Sequence, residues 1–127
     1  MSKQIISTDK APKAIGPYSQ AIQAGGFIFC SGQISLKPDG NFIDKNIKEQ
    51  TKQVMDNLNN ILKSVDLDLS DVIKTTIYLT DLSDFQTVNK IYSNYFKQNP
   101  PARSTVQVLA LPKEAKIEIE CVAVDKK

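Results

Sequence analysis

Tyr18-Ser19-Gln20-Ala21-Ile22-Gln23-Ala24-Gly25-Gly26-Phe27-Ile28-Phe29-Cys30-Ser31-Gly32 sets two apolar, strand-like runs on either side of a glycine pair. Two strands separated by two glycines form a tight hairpin, because both turn residues need positive φ and glycine adopts it without a Cβ clash. The turn places Ala24 opposite Phe27, Ile22 opposite Phe29 and Gln20 opposite Ser31. Period-two alternation then puts Tyr18 on the face of Gln20. Tyr18 and Ser31 therefore point the same way at the open end of the hairpin, and Gly32 leaves the backbone beside them approachable. Two readings stand on these residues alone: a packed tyrosine with a strand-end serine, or two walls of a pocket.

Working outward, residues 1–14 show little pattern and read as a loose arm or loop. Beyond the hairpin a short third strand is expected near Gln33-Ile34-Ser35, then a turn-rich loop from Leu36 to Ile43. At Asn46 the period changes. Ile47, Thr51, Val54, Met55, Leu58, Ile61, Leu62 and Val65 follow helical spacing, and Asn46 with Glu49 has the form of an N-terminal cap. Val72 to Thr80 is β-branched and alternating, hence a strand. Ser83 and Gln86 have capping-box spacing for a second helix, with Phe85, Val88, Tyr92, Tyr95 and Phe96 on its apolar face. Asn89 lies on or beside that face, so its amide must find a partner, either backbone or a polar pocket. Two further strands, Ser104–Ala110 and Lys116–Val124, close the chain.

This order predicts one domain over residues 1–127. It is an α+β fold with two helices packed on one face of a single mixed sheet. The second sheet face is too apolar to stay wet, which predicts an oligomer that covers it.

Composition removes several chemistries. The 127 residues contain no histidine, which excludes Ser-His-Asp and Cys-His mechanisms and the commonest metal ligand. Cys30 and Cys121 are far apart and form no C-x-x-C pair, so no metal site is expected. Both lie in apolar runs and read as small core residues. Glycine-rich phosphate loops are missing. Net charge is +2, with lysines scattered among acids, so no nucleic-acid partner is expected. No apolar run reaches the ~20 residues that span a bilayer, and the first residues lack the apolar core of a signal peptide. No membrane association and a cytoplasmic location are expected.

Pro100-Pro101-Ala102-Arg103-Ser104-Thr105-Val106 holds the only arginine in the chain; the other fifteen basic residues are lysine. A guanidinium grips a carboxylate bidentately where a lysine cannot. The double proline stiffens its approach. A structural ion pair and a carboxylate clamp both fit. In the last strand, Ile117, Ile119, Cys121 and Ala123 face one side, and Glu118 and Glu120 the other. Glutamates on an otherwise apolar strand are unusual; a solvent-facing edge strand is the plain explanation.

Five segments occur in order: Ile15-Gly16-Pro17-Tyr18-Ser19-Gln20-Ala21, Ser31-Gly32-Gln33-Ile34, Lys74-Thr75-Thr76, Pro101-Ala102-Arg103-Ser104, and Leu111-Pro112 through Lys116-Ile117-Glu118-Ile119-Glu120. Together they resemble the RidA family of reactive-intermediate deaminases over essentially the whole chain. The resemblance implies a chorismate-mutase-like subunit, a homotrimer with sites between subunits, and cofactor-free hydrolysis of enamine/imine intermediates (2-aminoacrylate/2-iminopropanoate, 2-iminobutanoate) to 2-oxo acids and ammonia. Such intermediates are shed by PLP-dependent dehydratases. It further implies that Arg103 grips the substrate carboxylate and Glu118 positions the attacking water. Tyr18, Ser31, Gly32, Asn89 and Thr105 match pocket positions. Many relatives have cysteine where this chain has Thr105, whose hydroxyl can still donate to a ligand. The ligands implied are small 2-imino and 2-oxo acids. The competing reading is a non-catalytic binding or regulatory module for small carboxylates.

A hairpin between 104–110 and 116–124 would set Arg103 about five residues, ~17 Å, from Glu118. Both could then touch one small acid only if a second subunit supplied one of them.

Overall fold

A computed structural model describes residues Ser2 to Asp125. Six strands form one mixed sheet in the order β1-β2-β3-β6-β4-β5. They are β1 (Gln4–Ile6), β2 (Ala21–Ala24), β3 (Phe27–Gln33), β4 (Val72–Leu79), β5 (Ala102–Gln107) and β6 (Ile117–Val124). Only β4 and β5 run parallel. Helices α1 (Ile47–Lys63) and α2 (Phe85–Tyr95) cover one face.

The glycine turn has the predicted register, Ala24 against Phe27 and Ile22 against Phe29. Gly25 and Gly26 have φ of 57° and 81°, as a turn matched to strand twist requires. Ser31 N donates to Gln20 O at 2.9 Å, which extends the pairing by one step.

Helix α1 starts where the spacing puts it, with Asn46 Oδ1 accepting from Glu49 N at 2.9 Å. Its buried stripe of Val54, Met55, Leu58, Ile61 and Leu62 packs on Ile28, Ile77, Ile117 and Ile119. Each of these is fully buried, so a Leu58→Ala change would cost about 2–5 kcal/mol. Among the described residues no helix is long and apolar enough to cross a membrane.

Three local expectations are corrected. The arm is not loose, because β1 adds an edge strand to β2. The buried Gln20 fastens the stretch after β1: Nε2 donates to Thr8 O and Pro12 O, and Oε1 accepts from Thr8 N. A separate strand at 33–35 is absent. Instead β3 continues to Gln33 through an irregularity in which three steps, Cys30 to Gln33, span two steps of β6, Cys121 to Ile119. The second helix is entered through a short 3₁₀ turn, Leu82–Asp84, capped by Asp81 and not by Ser83.

The largest correction concerns the end of the chain. β5 and β6 do not form a hairpin. β5 pairs with β4 in parallel, and β6 inserts between β3 and β4. Glu118 and Glu120 therefore stand on an interior strand, not an edge.

Candidate active site

The ladder registers fix which way each functional side chain projects. Arg103 pairs with Thr75, and Thr75 pairs with Cys121. Thr75 Oγ1 shares a 2.7 Å hydrogen bond with the Tyr92 hydroxyl on α2, so this row faces the helices. Alternation along β6 keeps Ile117, Ile119, Cys121 and Ala123 on that face, all buried. Glu118 and Glu120 point to the open face.

On the helix face, Arg103 is held by α2. Its Nη1 donates to Asn89 Oδ1 at 2.7 Å. Its guanidinium lies over the rings of Phe85 and Tyr92, 5.4 and 5.2 Å from their centroids. An amide oxygen and two aromatic faces orient the fork without neutralising it. The ion-pair reading thus fails among the described residues, and of the two outcomes open to Asn89 its amide takes the polar cleft. Arg103, Asn89, Tyr92, Pro100 and Pro101 line a cleft of about 510 Å³. Thr105, two residues on, has an Oγ1 that is buried and without a hydrogen-bond partner among the described residues.

On the other side, Glu118, Gly32 and Tyr18 line a cleft of about 380 Å³ together with Ile15, Lys13 and Lys113. The Glu118 carboxylate lies directly on Gly32. A Cβ there would collide with Oε2 and stand 2.8 Å from Cδ. The β3 irregularity carries Gly32 under this carboxylate. Lys113 and Glu114, on the cleft side of β6, both hold positive φ, 57° and 56°. Burial, and then the charge of Glu120 two residues along the same face, raise the Glu118 carboxyl above its ordinary value of 4.5. A carboxyl so placed can take up and return a proton near neutrality more readily than an exposed one.

Ser31 precedes Gly32 but does not line this cleft; its Oγ donates to Ser19 O at 2.6 Å and so ties down the loop that carries Tyr18. The predicted residues therefore fall into two groups: Glu118, Gly32 and Tyr18, with Ser31 behind them, and Arg103 and Asn89, with Thr105 beyond. Sequence reading assigned Phe85 and Tyr92 to the apolar face of α2 and did not anticipate their stacking on Arg103. It also missed Ile15, Lys13 and Lys113 as cleft walls. Gly16-Pro17 was the available signal for the first of these, since a turn there brings Ile15 back toward Tyr18.

Residues 8–125 match the family model described as Endoribonuclease L-PSP. The chain is 54% identical over 124 residues to Reactive Intermediate Deaminase A, chloroplastic, of Arabidopsis thaliana. That match covers 97% of this chain and 66% of the plant protein, just under two thirds of its length. It is 50% identical over 123 residues to the human 2-iminobutanoate/2-iminopropanoate deaminase, covering 96% of this chain and 90% of the human one. Among solved structures, Escherichia coli TdcF with bound serine superposes with a TM-score of 0.90 at 41% identity, covering 95% of this chain and 98% of that one. Yeast Mmf1 gives 0.95 at 37%, covering 98% and 100%.

Proposed function

The chain belongs to the Endoribonuclease L-PSP family, the family of the RidA deaminases, and we propose that it hydrolyses small 2-imino acids and their enamine tautomers to 2-oxo acids and ammonia. The relatives named as deaminases of 2-iminobutanoate, 2-iminopropanoate and reactive intermediates support the reaction class. The observation that carries it to residues is the oriented, uncompensated guanidinium of Arg103 in one cleft and the proton-holding carboxyl of Glu118 in another.

In this reading Arg103 binds the substrate carboxylate, and its orientation by Asn89 keeps both fork donors aligned. Glu118 accepts a proton from water as the water adds to the imine carbon. It passes that proton to nitrogen to give the carbinolamine, then relays the carbinol O–H proton to nitrogen as the C–N bond breaks, the C=O bond forms and ammonia leaves. The substrate is already labile in water, so orientation supplies much of the acceleration. Tyr18 and Gly32 shape the cleft around Glu118, and the Thr105 hydroxyl is a donor on the Arg103 side.

The same proposal places the site between subunits of a homotrimer. Arg103 and Glu118 leave opposite faces of one sheet, so a shared substrate needs a second copy. The open face supports self-association: Phe27, Phe29 and Val106 are 41–49% exposed on it. A single domain and a cytoplasmic setting belong to the same proposal.

A coupled assay tests it. A PLP-dependent dehydratase generates the imine, and semicarbazide competes to trap it. Wild type is expected to divert imine to 2-oxo acid, and folded Arg103→Ala and Glu118→Ala are expected not to. Unchanged semicarbazone formation with wild type would refute the reading and favour a carboxylate-binding module.

A further inference from the structure

The reaction above uses neither cysteine, yet the fold sets the two directly against each other. Cys30 of β3 and Cys121 of β6 are Cα partners in the antiparallel ladder. Directly opposed residues in such a ladder have Cα atoms roughly 4.5–5.5 Å apart, within the roughly 4.4–6.8 Å that a disulfide accepts. Both side chains face the helices and are buried, 5% and 4% exposed. Both are free thiols. Among the described residues no cluster of three or more potential ligands exists, so the pair has no third group with which to hold a metal.

One feature makes the pair more than core filling. It stands where the β3 irregularity begins, immediately before Ser31 and Gly32. Gly32 is the residue on which the Glu118 carboxylate rests.

We propose that Cys30 and Cys121 are an oxidisable dithiol that hydrogen peroxide closes to a cross-strand disulfide, and that closure displaces Glu118 through Gly32. The chemistry balances with peroxide as the oxidant. Cys30 attacks as thiolate; the O–O bond breaks, a sulfenic acid forms, and hydroxide leaves. Cys121 sulfur then attacks that sulfenic sulfur. The S–S bond forms, the S–O bond breaks, and the departing hydroxide takes up the Cys121 proton. Two thiols and one peroxide become one disulfide and two waters. The Cys121 thiol is held well above its ordinary range by its hydrogen bond with Cys30 and by burial, so Cys121 takes the second, resolving step.

The test treats the reduced full chain with hydrogen peroxide, then denatures, alkylates and weighs it. The expected product is a monomeric chain lighter by two hydrogens that resists alkylation, with one cross-linked peptide pair containing Cys30 and Cys121. Dithiothreitol reverses it, and C30S and C121S do not form it. Persistently alkylatable thiols, sulfinic acid as the sole product, or cross-links between chains would each overturn the dithiol. The coupling to Glu118 is read in the deaminase assay. Oxidised wild type is expected to lose most of its turnover and regain it on reduction, while C121A keeps its turnover under peroxide. A closed disulfide with unchanged turnover would overturn the coupling alone, because mass and cross-link report closure independently of activity.

Discussion

Arg103 and Glu118 project from opposite faces of the same sheet. Arg103 shares a ladder row with Thr75 and Cys121, and Glu118 lies three residues before Cys121 on β6. The offset is roughly 10 Å along the strand and two strand spacings, roughly 10 Å, across it. An odd number of residues along β6 also reverses the face. No rotamer of either side chain brings both onto one small acid within a subunit.

Subunit mixing follows from this relationship. If each cleft takes Arg103 from one subunit and Glu118 from its neighbour, Arg103→Ala and Glu118→Gln chains are each inactive alone and complement each other. Random assembly of equal amounts should restore about one quarter of wild-type turnover, since one in four cleft pairings contains both groups. The check is to unfold the two variants, refold them together and assay the mixture. A mixture as inactive as its components would place both residues in one subunit's site.

Glu118 should leave a mark on both activity and stability. Its carboxyl is raised above 4.5, so kcat/KM should fall with decreasing pH at a midpoint above that of an ordinary glutamate. The stability sign is opposite to that of a salt-bridged acid. Below the unfolded-state pKa the group is protonated in both states and adds no penalty. As pH rises through the raised folded-state pKa, the native state loses stability relative to the unfolded chain. Glu118→Gln should therefore melt at a higher temperature than wild type at pH 7 and at the same temperature near pH 4. Thermal melts at the two pH values check it.

How much of this could be read beforehand depended on range. The Gly25-Gly26 turn and the Asn46 cap are local, and each was legible because a few neighbouring residues determine it. The placement of β6 was not, since β5 and β6 are consecutive and a hairpin is the shortest connection. What overrides it is burial on the helix face. Ile117 and Ile119 are fully buried, and an interior position lets α1 cover them. The α2 clamp on Arg103 was illegible for a related reason: Phe85 and Tyr92 carry ordinary core periodicity, and nothing local marks a ring that will stack on a cation. Edge strand β1 was hidden because three residues give too short a run for alternation to show.

Gly32→Ala tests the support beneath Glu118. The new methyl would occupy the space of the carboxylate. Glu118 has a flexible side chain, so it swings away and the fold survives. A displacement near 1 Å costs up to about 100-fold in rate. We expect turnover to drop by that order while circular dichroism and melting temperature stay close to wild type. Full activity in this variant would show that the resting position of Glu118 is not its working one.

Asn89 separates orientation of Arg103 from charge. Its Oδ1 accepts from Nη1 at 2.7 Å, and a hydrogen bond to a charged group contributes about 1.5–3 kcal/mol. Asn89→Ala removes the acceptor but leaves the rings of Phe85 and Tyr92 in place, so the guanidinium stays in the cleft with its fork less well aligned. KM should rise about tenfold, the loss of roughly 1.4 kcal/mol of substrate binding, with a smaller change in kcat. Asn89→Asp keeps the acceptor and adds a negative charge at hydrogen-bond distance. It neutralises Arg103 and competes with the substrate carboxylate, so KM should rise further than in the alanine variant, although the hydrogen bond itself strengthens. Calorimetric titration with a 2-oxo acid product should show the same order. Equal affinity of Asn89→Asp and wild type would mean that Arg103 does not bind the carboxylate, because a carboxylate already seated on the guanidinium cannot leave such binding untouched.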